Sequence, residues 1–286
     1  MISRYYVLYL ILIFFLVPAL AATSTRKKLI ENNKKTLIAS IATSILNSLC
    51  GPYTFITYSF FVISSSMMTR VGSPLKLKLG HRDIHGRGWR QVLGVGLVPG
   101  ITNLASLLLY LAGLRAIASK TALLTILLYA VSTADTWSSE VGMLYRRRPR
   151  LVLGLKEVET GTSGAVTPLG SAASILGSFA TAAVGVLSLC LLGDIGVQVH
   201  VDEPLMLLIL LASLGFAGEL LDSVLGCLIQ EKRRCVICGI ICEQETHCGV
   251  KTEHVRGCRR FSGEAINMLT QLIMLAIGYA ALGLVA

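Results

Sequence analysis

Residues 134–170, ADTWSSEVGMLYRRRPRLVLGLKEVETGTSGAVTPLG, form the segment around which the rest of the chain is organised. The segment begins where an apolar run ends, and it combines carboxylates, arginines and a glycine-rich loop. Carboxylates bind divalent cations, guanidinium groups bind phosphate oxygens, and a glycine-rich loop brings backbone N–H groups close to an anion. The segment therefore predicts a site for a polyanion, with apolar helices as its scaffold.

The two carboxylates of this segment are candidate catalytic residues, Asp135 and Glu140. Acidic groups at the end of a membrane span are costly unless they are paired or hydrated, which favours a functional role. Five positions apart on a helix, the two side chains point about 140° from one another. Either the helix breaks near Ser138, or each carboxylate has a different partner.

The predicted phosphate ligands follow the carboxylates in sequence. They are Arg146, Arg147, Arg148 and Arg150, and the loop residues Gly161, Thr162, Ser163 and Gly164. The alternative interpretation of the arginines is that they only orient the chain, as a basic run just past a membrane helix often does.

Composition indicates a polytopic membrane protein, because 53% of the 286 residues are hydrophobic and only 15% are charged. The formal net charge of +10 would suggest nucleic acid as a partner of a soluble protein. Here the basic residues lie in short loops between apolar runs, so we exclude nucleic acid and expect membrane lipids as partners. The predicted fold is an all-α transmembrane helix bundle of about seven or eight spans, with residues 1–286 as one integral membrane domain.

The predicted spans are residues 5–22, 36–50, 53–68, 91–113, 121–133, 166–192, 205–230 and 265–286. The first run ends in small residues, as a signal peptide would. Basic residues are more numerous after it than before it, which favours an uncleaved span with its N-terminus outside.

Four basic loops then fall on one face, which the positive-inside rule assigns to the cytosol. They are residues 23–35, 69–90, 140–165 and 231–263. The acidic loop 193–203 falls on the other face, and only Arg115 and Lys120 oppose the rule. We expect a multi-pass protein, favour an endomembrane, and place every candidate site residue at the cytosolic face.

The seventh span carries a third candidate catalytic carboxylate, Asp222, on a stripe of Gly215, Gly218 and Gly226. Such a stripe admits a neighbouring helix, so Asp222 should face protein. Glu219 lies on nearly the same face. The sixth span has its own small-residue line, residues 170, 174, 177 and 181, which is a candidate partner.

Asp135 and Asp222 are predicted to meet at the cytosolic end of the bundle and to hold Mg²⁺ together. The two spans run in the same direction, so both carboxylates can lie at similar depth. The alternative is that Asp222 only holds helices together through hydrogen bonds.

Five of the eight cysteines lie in the cytosolic loop 231–263. Cys235, Cys238, His247 and Cys248 have a spacing that a structural Zn²⁺ site can use, and a reducing compartment disfavours disulfides. Cys242 and Cys258 lie in the same loop. Free thiols and modified cysteines are the alternatives.

Several segments resemble, in order and spacing, the transmembrane protein 19 family of integral membrane proteins, which includes the plant phytyl-phosphate kinase. The resemblance extends from about residue 60 to the C-terminus. The segments that carry it are ADTWSSEVG (134–142), PRL (149–151), GTSGAVT (161–167), GELLDSVLG (218–226) with Gln230, GWRQVL (88–93) with Gly96, Val98 and Pro99, and AIN (265–267).

The resemblance implies nucleotide-dependent phosphorylation of an isoprenoid monophosphate, such as a prenyl or phytyl phosphate, at the cytosolic membrane face. A nucleoside triphosphate and a prenyl phosphate are then the implied partners. The chain departs from the family pattern at Ala134, where the family has Gly, at Val95, where it has Asn, at residues 162–164, where Thr-Ser-Gly replaces Asn-Gly-Gly, and at residues 263–264, where Gly-Glu replaces Asn-Asp.

The sequence is also compatible with two other function classes, a membrane transporter or lipid carrier and a non-catalytic membrane scaffold. A transport path needs polar groups through the depth of the bilayer, often in chains with internal repeats. Here the polar groups collect at one interface and include both signs of charge, which favours a transferase.

Overall fold

The computed structural model describes residues 4–78, 86–239, 241–242 and 245–283, with the side chains of all but 77, 78, 241 and 242. Part of the predicted loop 69–90, the side chain of Cys242 and the end of the last predicted span lie outside this set. The helices are α1 Arg4–Arg26, α2 Lys34–Leu46, α3 Pro52–Arg70, α4 Ser73–Lys78, α5 Trp89–Leu111, α6 Arg115–Gly142, α7 Pro168–Leu192, α8 Pro204–Leu228 and α9 Gly263–Gly283.

The strands are short and lie in the loops. They are β1 Arg150–Leu151, β2 Ala165–Val166, β3 Lys232–Arg234, β4 Ile241–Cys242, β5 Thr246–His247, β6 Val250–Lys251 and β7 Glu253–Arg256. The predicted all-α transmembrane bundle is therefore confirmed.

Six of the described helices are long and apolar enough to cross a membrane, namely α1, α5, α6, α7, α8 and α9. The prediction of seven or eight spans is slightly too high, because two predicted spans form a more polar hairpin. Helix α2 has 13 residues and is only about 20 Å long, against a hydrocarbon core of about 30 Å. Helix α3 is long enough, but Ser and Thr residues lower its hydropathy. Adding or removing one hairpin leaves the sidedness of every later loop unchanged.

Helix α6 is the centre of the bundle. Its residues from Ala122 to Ala134 are buried throughout, and it packs against α3, α5, α7, α8 and α9. A helix that is apolar on all sides is stable only in such a position. Helix α1 lies at the periphery against α2, and most of its large apolar side chains are exposed, as expected for contact with lipid.

Small residues bring the central helices close together. A Cβ at Gly215 of α8 would meet Ser178 of α7 and Ala130 of α6, and one at Gly177 of α7 would meet the Trp137 ring of α6 at 3.0 Å. The small-residue line of α7 therefore packs against α6, and at Ser174 it also reaches Glu219 of α8. The expected pairing of α7 with the stripe that carries Asp222 forms at Gly215 and Glu219, and α6 lies against the same line.

The loops collect at two ends of the bundle. At one end, the Tyr6 hydroxyl of α1 bonds to the carbonyl of Leu49, and Val197 N–H bonds to the carbonyl of Cys50. The other end, here called the motif end, holds the described residues of the segments 27–33, 71–88, 143–167 and 229–262. The loops that were predicted to share a face are thus at the same end of the bundle.

Candidate functional site

A polar cavity of about 380 Å³ opens at the motif end. Its walls come from α5, α6, α8 and α9 and from the loop between β1 and β2. Of the predicted site residues, the cavity brings together Asp135, Glu140, Asp222, Gly161, Thr162, Ser163 and Gly164. Residues 87 apart in sequence, Asp135 and Asp222, line the same space.

Asp135 lies on an unbroken helix, because α6 continues to Gly142. The predicted end of the fifth span at residue 133 is therefore too early. Asp135 and Glu140 project from one helix into different surroundings. The Asp135 carboxylate interacts electrostatically with Asp222, Glu219 and Arg87. Among the described residues, none forms a hydrogen bond or ion pair with its carboxylate.

Asp222 is oriented by helix α9. The Thr270 hydroxyl donates a hydrogen bond of 2.9 Å to Asp222 Oδ2. With its amide nitrogen assigned to the side that faces acceptors, Asn267 donates to the same oxygen at 3.2 Å. Asn267 belongs to the segment AIN, and Thr270 follows it one helical turn later. Helix α9 is therefore part of the site, although none of its residues was predicted as a site residue. Asn267 and Thr270 have the i, i+3 spacing of one helix face.

Glu219 lies one turn before Asp222 and is almost completely buried. Three hydroxyls donate to its carboxylate, from Ser138 at 3.0 Å, Ser223 at 3.3 Å and Ser174 at 3.4 Å. These bonds join α6, α7 and α8 beneath the cavity. Hydrogen bonds of this kind are what a buried carboxylate needs to be tolerated.

The loop of residues 161–164 forms one lip of the cavity. Gly161 has φ +89°, a region that favours glycine, and a Cβ there would meet nothing within 4 Å. Gly164 packs so closely on α8 that a Cβ would lie 2.6 Å from Cys227. The Ser163 hydroxyl donates to Gln230 Oε1, and Lys232 Nζ donates to the Ser163 carbonyl at 3.1 Å. The loop is thus held on one side by α8 and by β3.

Arg87 is a cavity residue that the sequence did not single out, because the basic loop 69–90 read as an orientation signal. Its backbone pairs with residues 29–31, where Arg87 N–H bonds to the Leu29 carbonyl and Glu31 N–H to the Arg87 carbonyl, both at 3.1 Å. Gly86 permits this close approach, since a Cβ would lie 2.7 Å from the Ile30 carbonyl carbon. One sequence feature could have indicated Arg87. It lies between two glycines, Gly86 and Gly88, directly before the GWRQVL motif shared with the family.

Glu140 lines the cavity but has a different environment from Asp135. Lys76 Nζ lies 2.7 Å from Glu140 Oε2, and the Thr69 hydroxyl donates to Oε1 at 2.6 Å. Lys76 is fully buried and also donates to the carbonyls of Met68 and Thr69. This network ties α3 and α4 to α6, which is a structural role for Glu140. Lys76 was missed because nothing in its sequence context marks it as buried.

The four arginines predicted to hold phosphates lie elsewhere. Arg146, Arg147, Arg148 and Arg150 are exposed, and among the described residues none of them lines the cavity. Arg150 pairs with Glu157 at 3.4 Å in an exposed ion pair. The loop leaves α6 and turns outward before β1 pairs with β2, so these side chains face away. These four arginines therefore lie apart from the cavity, and among the described residues Arg87 is the arginine that lines it.

An apolar cavity of about 150 Å³ adjoins the polar one. Residues of α1, α2, α3 and α5 line it, among them Val17, Leu20, Tyr58 and Phe61. Arg87 and Val95 line both cavities. The Arg87 guanidinium lies 5.9 Å from the centre of the Phe61 ring, over its face. A charged compartment and an apolar compartment therefore meet at Arg87.

The cysteine loop places its four predicted ligands together. The ligand atoms of Cys235, Cys238, His247 and Cys248 all lie within 4.8 Å of one another, whereas Cys258 is not part of this group. Hydrogen bonds from the backbone N–H groups of Cys238 and Ile237 lower the pKa of the Cys235 thiol to about 6. The hydrogen bond of Cys248 with Cys238 and the nearby thiolates raise the pKa of Cys248 to about 11.

Comparison with known proteins gives a family and two relatives. The sequence pattern of the family described as "Integral membrane protein DUF92" matches residues 7–275. The chain is 30% identical over 218 residues to the uncharacterised membrane protein MJ0933 of Methanocaldococcus jannaschii, covering 76% of this chain and 82% of that protein. It is also 30% identical over 189 residues to Protein PGR of Arabidopsis thaliana, covering 62% of this chain and 64% of that protein.

No solved structure matches the chain. The family match extends from α1 almost to the end of α9, so it includes every wall of the cavity. It is consistent with the predicted resemblance to the transmembrane protein 19 family, and that prediction is confirmed. The chain is a multi-pass membrane protein that belongs to the DUF92 family of integral membrane proteins.

Proposed function

We propose that the protein transfers a phosphoryl group from a nucleoside triphosphate to an isoprenoid monophosphate at the motif end of the bundle. The observation that carries the proposal is the juxtaposition of two cavities. One collects Asp135, Asp222, Arg87 and the loop 161–164, and the other is apolar and borders the lipid-facing helices. A charged head and an apolar chain of one substrate fit such a pair.

Asp135 and Asp222 fit a divalent cation. Hard cations prefer carboxylate oxygens, and Mg²⁺ binds through one or two carboxylates together with substrate phosphates. Asp222 is held in one orientation by Thr270 and Asn267, and Asp135 has no hydrogen-bond partner among the described residues. Bound there, Mg²⁺ would neutralise charge on the phosphates. Two carboxylates in one cavity also repel one another unless a cation lies between them.

The loop 161–164 and Arg87 fit the phosphate groups. The loop presents backbone at the lip of the cavity with no side chain at Gly161, as an anion-binding loop requires. Arg87 adds a guanidinium group, which binds phosphate oxygens in bidentate fashion. Its position between the two cavities suits the phosphate of a lipid whose chain lies on the apolar side.

The reaction in this proposal needs no covalent enzyme intermediate. An oxygen of the acceptor phosphate attacks the γ-phosphorus, the bond from that phosphorus to the β,γ-bridging oxygen breaks, and the nucleoside diphosphate leaves. The acceptor oxygen already carries negative charge at neutral pH, so no base has to remove a proton. Positioning and charge neutralisation then provide the catalysis.

The distribution of acidic groups supports a transferase over a transporter. Every carboxylate within the described helices lies in the half of its helix nearer the motif end, namely Asp135, Glu140, Glu219, Asp222 and Glu264. A transport path would require such groups along the depth of the bundle. A transporter would instead move prenyl phosphate between leaflets without nucleotide.

The test is turnover by the purified protein in detergent or vesicles, with γ-labelled nucleoside triphosphates and Mg²⁺. Acceptors are prenyl monophosphates of increasing chain length, phosphatidate, inorganic phosphate and water. We expect label in a prenyl diphosphate, with loss of the product in Asp222→Asn. No transfer to any acceptor, or movement of prenyl phosphate between leaflets without nucleotide, would overturn the proposal.

A further inference from the structure

The segment of residues 231–262 forms small sheets at the motif end. Among its described side chains, Cys235 is the one hydrophobic residue that is buried. Strand β3 pairs with β4 and β7, and β5 pairs with β6. The apolar side chains of Val236, Ile237 and Val255 are more than 40% exposed. Segments below about 40 residues rarely fold on apolar burial alone and usually need disulfides or a metal.

The two turns that carry the cysteines have a shape suited to a metal. In the first, Gly239 N–H bonds to the Cys235 carbonyl at 2.9 Å, and Gly239 has φ +73°. In the second, Cys248 has φ +51°, which is unusual for a residue with a side chain, and Gly249 follows with φ +76°. Each turn therefore reverses the chain directly after a cysteine.

The four ligand atoms lie within 4.8 Å of one another, close enough for one tetrahedral zinc ion to draw them together. His247 Nδ1 lies 3.4 Å from Cys238 Sγ and 3.2 Å from Cys248 Sγ. With bonds of about 2.3 Å to sulfur and about 2.1 Å to nitrogen, the edges of such a site are about 3.5–3.8 Å. Cys235 completes the set and is fully buried, and its thiol donates to the His247 carbonyl at 3.7 Å.

This segment also touches the lip of the polar cavity. Strand β3 begins at Lys232, whose ammonium group donates to the Ser163 carbonyl at 3.1 Å, three residues before Cys235. On the other side of the segment, Cys258 N–H bonds to the Ile229 carbonyl and Glu231 N–H to the Phe261 carbonyl, both at 2.9 Å. The cysteine turns are thus connected to the cavity loop through one short strand.

We propose that Cys235, Cys238, His247 and Cys248 bind one Zn²⁺ ion, and that this ion fixes β3 so that Lys232 holds the loop 161–164 against the cavity. The zinc site is structural, because four protein ligands leave no position for substrate. Its metal content does not depend on the phosphoryl transfer proposed above, whereas its effect on the loop deepens that proposal.

Metal analysis of full-length protein purified without chelators tests the site. We expect about one zinc per chain, falling at least about tenfold in Cys235→Ser and in His247→Asn. The matched controls Cys258→Ser and His254→Asn lie in the same segment outside the cluster and should keep their zinc.

If the cysteine variants fail to fold, metal-free wild-type protein is titrated with Co²⁺. One equivalent should give the d–d absorption of a tetrahedral thiolate complex, and added Zn²⁺ should remove it. Wild-type protein that holds no zinc and gives no Co²⁺ spectrum overturns the site.

Amide hydrogen exchange tests the link to the cavity loop. Removing zinc with a chelator should speed exchange of residues 163–165 at least about tenfold while the amides of α6 keep their rates. Lys232→Met should loosen the same residues with zinc still bound. An unchanged exchange rate of the loop in both cases would show that Lys232 and the zinc site do not hold it. Neither measurement requires activity.

Discussion

Helix α6 carries two carboxylates in contrasting surroundings, Glu140 in a closed network and Asp135 in an open cavity. Glu140 has a buried ammonium group and a hydroxyl on its two oxygens. Asp135 faces Asp222 across a cavity, and no described lysine or arginine is within ion-pair distance of either. This difference separates a structural carboxylate from one that can bind a ligand. Both oxygens of Glu140 are already bonded within the protein, whereas, among the described residues, those of Asp135 are free to bind a cation or substrate.

The largest effect expected from this comparison is on the open site. Asp135→Asn and Asp222→Asn keep the shape of each side chain and remove one charge from the cavity. We expect turnover of prenyl phosphate to fall at least about 10³-fold in each, since charge stabilisation of phosphoryl transfer is worth that much. Initial rates with labelled nucleotide check this. Turnover within tenfold of wild type in either variant contradicts the account.

The closed site should respond in stability. Glu140→Gln leaves the Lys76 ammonium group buried without its counter-charge, so we expect a loss of about 3–5 kcal/mol. The double variant Glu140→Gln, Lys76→Met removes both charges and should recover most of that loss. Melting midpoints in detergent at one fixed scan rate compare the three proteins. A single variant as stable as wild type would remove the distinction between the two regions.

A smaller effect is expected at the lip of the open cavity. Gly161→Ala forces an Ala into φ +89° and should shift the loop, with strain of about 1 kcal/mol and an increase in nucleotide KM of about tenfold. Gly154→Ala is the matched control, because Gly154 has φ +79°, is open to solvent and does not line the cavity. If both variants raise the nucleotide KM equally, the increase comes from backbone strain and not from a role of Gly161 in binding the nucleotide.

The smallest effect is expected from the exposed arginines. Replacing Arg146, Arg147 and Arg148 together by Ala should change turnover by less than about threefold at high salt, because exposed charges are screened. Arg87→Ala should raise the KM for prenyl phosphate by at least about tenfold. KM values for prenyl phosphate at two salt concentrations compare the triple variant with Arg87→Ala. A larger loss in the triple variant than in Arg87→Ala would return the phosphate role to the arginine run.

The sequence predicted the bundle because long apolar runs leave few alternatives to membrane helices. It predicted that Asp135 and Asp222 share one end, because two helices in the same direction put their cytosolic halves together. The sequence predicted α2 and α3 as two further spans. Their Ser and Thr residues can pack against α5, α6 and α7 rather than against lipid.

Tertiary contacts decided what the sequence did not reveal. Lys76 is buried only because α4 folds back onto the end of α3, and Arg87 reaches the cavity only through its backbone pairing with residues 29–31. Neither contact has a periodic signal. The outward turn of Arg146 and its neighbours depends on the pairing of β1 with β2, two strands too short to be read from sequence.

The most direct test of the central claim, that Asp135 and Asp222 form one cation site, is Mn²⁺ binding to the purified protein, measured by electron paramagnetic resonance. We predict that wild-type protein holds Mn²⁺ and that Asp135→Asn and Asp222→Asn each weaken it at least about tenfold. Glu157→Gln, a change at an exposed carboxylate outside the cavity, should have no effect. Wild-type affinity in either Asp variant would contradict the shared site.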